Sequence, residues 1–103
     1  MPGKALARNL FFIGDAQLIV HIPSPLRSYT LNKSQVEGKG ASVGDVLADL
    51  DTRYPGIRFR MIDEQSGIRQ HIKIFVNTKQ AQSISVPVTN TDVVHIICAL
   101  SGG

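Results

Sequence analysis

The sequence predicts an α+β domain in which a mixed sheet wraps on one main helix. Three observations carry that expectation: a period-two strand near the start, one capped amphipathic helix in the middle, and a last strand that is apolar on both faces. A chain of 103 residues has room for one modest core and not two.

Residues 1–15 read as an N-terminal extension, and 16–103 as the folded domain with a flexible Gly102-Gly103 tail. Within the extension, Leu10-Phe11-Phe12-Ile13 is too short to be a signal peptide's apolar part, and it breaks at Gly14-Asp15. No apolar run in the chain is long enough to span a bilayer, so the expected location is cytoplasmic.

From Gln17, Leu18, Val20 and Ile22 alternate with Ile19 and His21 in a β-branched strand that stops at Pro23. Pro23 and Pro25 hold the next residues extended or turned. A second strand over Ser34 to Glu37 returns as its hairpin partner, and Gly38 and Gly40 mark a turn. Ser42 is placed to cap a helix, with Asp45 three residues on. Val43, Val46, Leu47, Leu50 and Tyr54 follow helical spacing, and Pro55-Gly56 ends the run.

Ile57 to Ile62 reads either as a short helix or as an extended stretch, and Asp63 to Gly67 as a loop. Ile72, Ile74 and Val76 alternate again with Phe75 on the other side, and Asn77 opens a turn. A weak strand is expected around Ser83 to Val86. Val93 to Leu100 then forms an almost unbroken apolar strand, which normally lies in a sheet's centre. Placing it parallel to and beside the first strand gives the β-grasp arrangement and releases the chain's end from the middle of the sheet.

The net charge is +3 with no Trp, and Arg53, Arg58, Arg60 and Arg69 are separated in sequence by apolar and acidic neighbours. Nucleic-acid binding is therefore not expected. A lone cysteine, Cys98, excludes an internal disulfide and fits a reducing compartment. Within its apolar run it reads as a small hydrophobe. His95 and Cys98 are three apart on a strand, so they point to opposite faces and cannot share a metal ion. His21 and His71 lie near no ligand pattern, and Asp63-Glu64 reads as a solvated loop. One helix covers one sheet face only. Phe75, Ile97, Ala99, Leu100 and Ser101 are therefore expected to form a partner-docking surface on or beside the other face, unless the extension or a second copy covers it.

The sequence resembles the ThiS/MoaD group of ubiquitin-like sulfur carriers. The residues that carry the likeness are Ile22-Pro23-Ser24-Pro25-Leu26-Arg27, Ser42-Val43-Gly44-Asp45-Val46-Leu47 running to Tyr54-Pro55-Gly56, Ile74-Phe75-Val76-Asn77, and Ala99-Leu100-Ser101-Gly102-Gly103. The likeness covers Leu18 to Gly103 and leans towards the MoaD-like branch that includes the small subunit of molybdopterin synthase. Thr78 stands where many members have glycine, and Asn90-Thr91-Asp92 where many have an acidic-glycine-acidic turn.

The resemblance implies that Gly103 carries the reacting carboxylate, adenylated and then converted to a thiocarboxylate, with Gly102 threading a narrow channel. Glycines lack a Cβ and fit where a side chain would clash. By chance two glycines end roughly one chain in 200, so the pair gains its meaning from the strand that precedes it. The implied partners are a ubiquitin-activating-type adenylating enzyme, a sulfur donor such as a persulfide enzyme, and the large subunit of an acceptor synthase. No cofactor is expected on the chain itself, ATP being used by the activating partner, and no metal. The chain is expected to be a protein cosubstrate, with molybdopterin synthesis as the destination of the sulfur. A ubiquitin-like modifier joined through Gly103 to lysines, a carrier for cysteine or thiamine synthesis, and a noncatalytic interaction module are the alternatives.

Overall fold

The apolar alternation at Leu18, Val20 and Ile22 produces the hairpin that opens the domain. The computed structural model describes residues 17–99, so the expected extension 1–15 and the Gly102-Gly103 tail lie outside the described residues. Strand β1 (Leu18–His21) leads through a single 3-10 turn (Ser24–Leu26) to β2 (Gln35–Gly38), with which it pairs antiparallel. Helices α1 (Val43–Arg53) and α2 (Ile57–Met61) follow, then β3 (Ile72–Val76), β4 (Lys79–Gln80) and β5 (Val93–Cys98).

One sheet holds all five strands in the order β2-β1-β5-β3-β4. The last strand is central, parallel to β1 and antiparallel to β3. The fold is the expected β-grasp. Its core joins Leu18, Val20, Val36, Ile72, Ile74, Val94 and Ile96 of the sheet to Val43, Val46, Leu47 and Leu50 of α1, all buried. Each such side chain contributes about 1.5–3 kcal/mol of transfer free energy, and together they set which sheet face meets the helix.

The cap of α1 is as expected: Asp45 N–H donates to Ser42 Oγ at 3.1 Å, and Asp45 Oδ2 accepts from Ala41 N–H at 3.2 Å. Backbone contact is close just before it. A Cβ on Gly40 would lie 2.4 Å from Asp45 Cβ and 2.8 Å from Val46 N. At the other end Gly56, with φ 97°, turns the chain into α2, a conformation that side chains disfavour.

The ambiguity at Ile57 to Ile62 resolves as a helix. Asp51 Oδ1 accepts from Gly56 N–H and Arg58 N–H at 3.1 and 3.0 Å, satisfying orphan donors at the helix start. Ile57 and Met61, one turn apart, are buried together.

The short strand is not at Ser83 to Val86. Asn77, with φ 57°, turns β3 directly back into β4, so the pairing is complete by Gln80. Ser83 to Val86 is a turn whose carbonyls serve α1: Val86 O accepts from Val43 N–H at 2.9 Å and Ile84 O from Gly44 N–H at 2.8 Å. The apolar spacing of Ile84 and Val86 is used, since both lean on the core. Their backbone partners are a helix end, not a strand.

Among the described residues no helix is long and apolar enough to cross a membrane.

Candidate functional site

Residues 100–103 follow the end of β5, so the candidate site is built from what surrounds that end. The strand stops at Cys98, two residues short of the expected Leu100. Ala99 is exposed and leaves the ladder after one last bond, its N–H to His71 O at 2.7 Å. Gly102 and Gly103, with Leu100 and Ser101, lie outside the described residues.

β1 and β5 are parallel, so both strands end at the same edge of the domain. There a groove of about 510 Å³ opens, lined by His21, Pro23, Pro25, Arg27, His95 and Ile97 among others. The proline-rich turn after β1 forms one wall. Arg27 Nε donates to Ile22 O at 2.9 Å, which ties that wall back to the strand.

The sheet face opposite α1 carries Ile19 and His21 from β1, Val93, His95 and Ile97 from β5, and Lys73 and Phe75 from β3. Of the expected docking residues on this face, Ile97 is 46% exposed and Phe75 is half-buried. Register places His21, His95 and Phe75 in one row across three strands. The His21 and His95 rings stack 4.8 Å apart and 6° from parallel. The surface is thus less apolar than the run Val93 to Leu100 implies: alternation sends Val94 and Ile96 inward, and the outer face carries two stacked imidazoles. Neither histidine shows this partnership in the sequence, because it exists only once β1 and β5 are neighbours.

Cys98 lies on the helix-covered face, half-buried against the core, while His95 is on the other, so the two do not converge. No cluster of three or more His, Cys, Asp or Glu able to hold a metal occurs among the described residues. In the loop after α2, Asp63 accepts from Gly67 and Gln65 N–H groups, each at 2.9 Å. Those bonds, Gly67's first, hold its carboxyl below the usual aspartate range and make it a turn former. Asp92 is held low in the same way, by Asn77 and then by Thr89 N–H.

The ThiS family model matches residues 20–103, from within β1 to the last residue of the sequence. The chain belongs to the ThiS family. This ThiS-family chain is 32% identical over 89 residues to the sulfur carrier protein CysO of Mycobacterium bovis, a match covering 82% of the chain and 96% of the relative. It is also similar to the crystal structure of the Amycolatopsis orientalis BexX/CysO complex, at 30% identity and a TM-score of 0.77, covering 84% of this chain and 99% of that one. The solution structure of small archaeal modifier protein 1 from Methanosarcina acetivorans aligns with a TM-score of 0.69 over 85% of this chain and 97% of that one. Its identity is 24%, which shows the shared fold alone.

Proposed function

We propose that this chain is a sulfur carrier, a protein cosubstrate whose Gly103 carboxylate is adenylated by a partner enzyme and then converted to a thiocarboxylate. The observation that supports the reading is the family match running from Val20 through Gly103, on a fold whose central strand leads into residues 100–103.

The chemistry explains what such a terminus has to be. A carboxylate is a poor electrophile because its charge and resonance resist nucleophiles. Its oxygen attacks the α-phosphorus of ATP, pyrophosphate leaves, and the acyl-adenylate has AMP as a good leaving group. A persulfide sulfur then attacks the carbonyl carbon and expels AMP. A thiol attacks the donor-side sulfur of the resulting acyl disulfide, forms a new disulfide with it, and releases the thiocarboxylate on Gly103. Each attack needs reacting atoms within about 3–3.5 Å, so Gly102 and Gly103 must enter a channel too narrow for side chains.

In this reading the domain acts as a handle. The rigid sheet fixes where residue 100 begins, and Phe75, Ile97 and Ala99, with Leu100 and Ser101, meet the partners. ATP belongs to the activating enzyme. The relatives carry the name CysO and not that of a molybdopterin synthase subunit, which favours an acceptor of the cysteine class over molybdopterin.

Intact-protein mass spectrometry of the chain isolated from its own cells tests the reading. The expected result is the mass change of one oxygen replaced by sulfur, localised to Gly103 and absent after Gly103 is deleted. Adducts joining Gly103 to lysines of other proteins would show a modifier instead.

A further inference from the structure

Arginines that are scattered in the sequence come together in the fold. Phe59 projects from α2 and is 55% exposed, an unusual position for a large aromatic side chain. The Arg69 guanidinium lies over its ring, 4.5 Å from the centroid, and Arg69 Nε donates to Phe59 O at 2.7 Å. Arg60 and His71 complete the walls of a shallow recess of about 210 Å³. Separation in sequence therefore does not keep Arg60 and Arg69 apart in space. The loop from Ile62 to Arg69 folds back on α2, with Arg69 N–H donating to Met61 O at 2.9 Å, and so brings position 69 beside positions 59 and 60.

The recess itself is lined by two guanidinium groups and no carboxylate. Asp63 feels the Arg69 charge, but its carboxylate is committed first to the Gly67 and Gln65 N–H groups. Glu64 sits in the same turn and makes no ion pair with either arginine among the described residues. Arg69 spends its Nε on a backbone carbonyl, which holds the guanidinium in place with its terminal nitrogens left for another acceptor.

The patch also adjoins the end of β5: the backbone carbonyl of His71, which lines it, accepts the final ladder bond from Ala99 N–H. We propose that Phe59, Arg60, Arg69 and His71 form a docking site for an acidic surface on the adenylating partner, beside the mouth of the channel that takes residues 100–103. This rests on the carrier reading above. An aromatic anchor held under an arginine has the composition of an interface hot spot. Carboxylates opposite Arg60 and Arg69 supply charge complementarity that sets orientation before the tail threads. A nucleic acid fits less well, because Arg69 already occupies a face of the ring on which a base would stack.

The test is ATP–pyrophosphate exchange catalysed by the ubiquitin-activating-type enzyme from the same cells, as a function of carrier concentration. Variants are Arg60→Glu, Arg60→Lys and the double Arg60→Glu/Arg69→Glu, at low and physiological salt. Reversing both charges is expected to raise KM about tenfold with kcat unchanged and to abolish the salt dependence of KM. Arg60→Lys should behave as wild type. The Arg60 side chain makes no hydrogen bond or ion pair among the described residues, so Arg60→Glu alone, expected to raise KM severalfold, keeps the test decisive if the double variant does not fold. Wild-type exchange with KM unchanged in Arg60→Glu overturns the docking site and leaves the carrier reading standing. No exchange with wild type overturns both. Binding of a single-stranded RNA oligonucleotide that the variants lose, with KM unchanged, would reassign the patch to nucleic acid.

Discussion

Asn77 and Asp92 tie the β3–β4 turn to the start of the central strand: Asn77 Nδ2 donates to Asp92 Oδ1 at 2.9 Å, and Asn77 Oδ1 accepts from Val93 N–H at 2.9 Å. The backbone of Asn77 is left-handed, φ 57°, a conformation that Asn tolerates better than most residues. Asn77→Ala removes both side-chain bonds and keeps the strained backbone. It should cost about 2 kcal/mol in urea unfolding, with a lower midpoint and an unchanged slope.

The same carboxylate predicts an acid limb. Asn77 and then Thr89 hold the Asp92 pKa below its ordinary 3.8, so the folded state binds fewer protons than the unfolded chain in that range. This stabilisation is complete above the ordinary value and is lost as pH falls through the folded value. Midpoints measured between neutral pH and strong acid should fall below about pH 4, and Asp92→Asn should flatten part of that decline.

Gly40→Ala tests the close approach before α1. The added methyl meets Asp45 Cβ and the Val46 amide, a backbone-bearing segment that cannot swing aside as a flexible side-chain tip can. The variant should lose about 2–3 kcal/mol, visible as a fall in Tm.

Ile97→Glu separates folding from docking. Ile97 is on the face away from α1 and 46% exposed, so stability should change by no more than about 0.5 kcal/mol. A role in docking predicts a KM for adenylation at least about tenfold higher. Wild-type kinetics in a folded Ile97→Glu protein would remove Ile97 from the partner surface.

Local pattern made most of the architecture legible. Helix α1 announces itself through Ser42, Asp45 and the stripe from Val43 to Leu50, because capping and amphipathic spacing are properties of neighbouring residues. β5 announces its central place because only a strand covered by neighbours carries so continuous an apolar run. Ile84 and Val86 have strand-like spacing, yet their carbonyls accept from the first turn of α1, a partner far away in the chain, and the short strand lies instead at Lys79–Gln80.

By itself, then, the sequence determined the β-grasp class, the one long helix, the central last strand and the glycine pair that follows it. These depend on periodicity and on residue types that act over a few positions. Tertiary structure alone decided what surrounds the departing chain. It stacked His21 on His95 by setting two distant strands side by side. It walled a groove with the proline-rich turn, and it gathered Arg60 and Arg69 around Phe59. The physical reason is that a side chain's partners across a sheet or a folded-back loop are chosen by chain topology, which sequence separation does not encode.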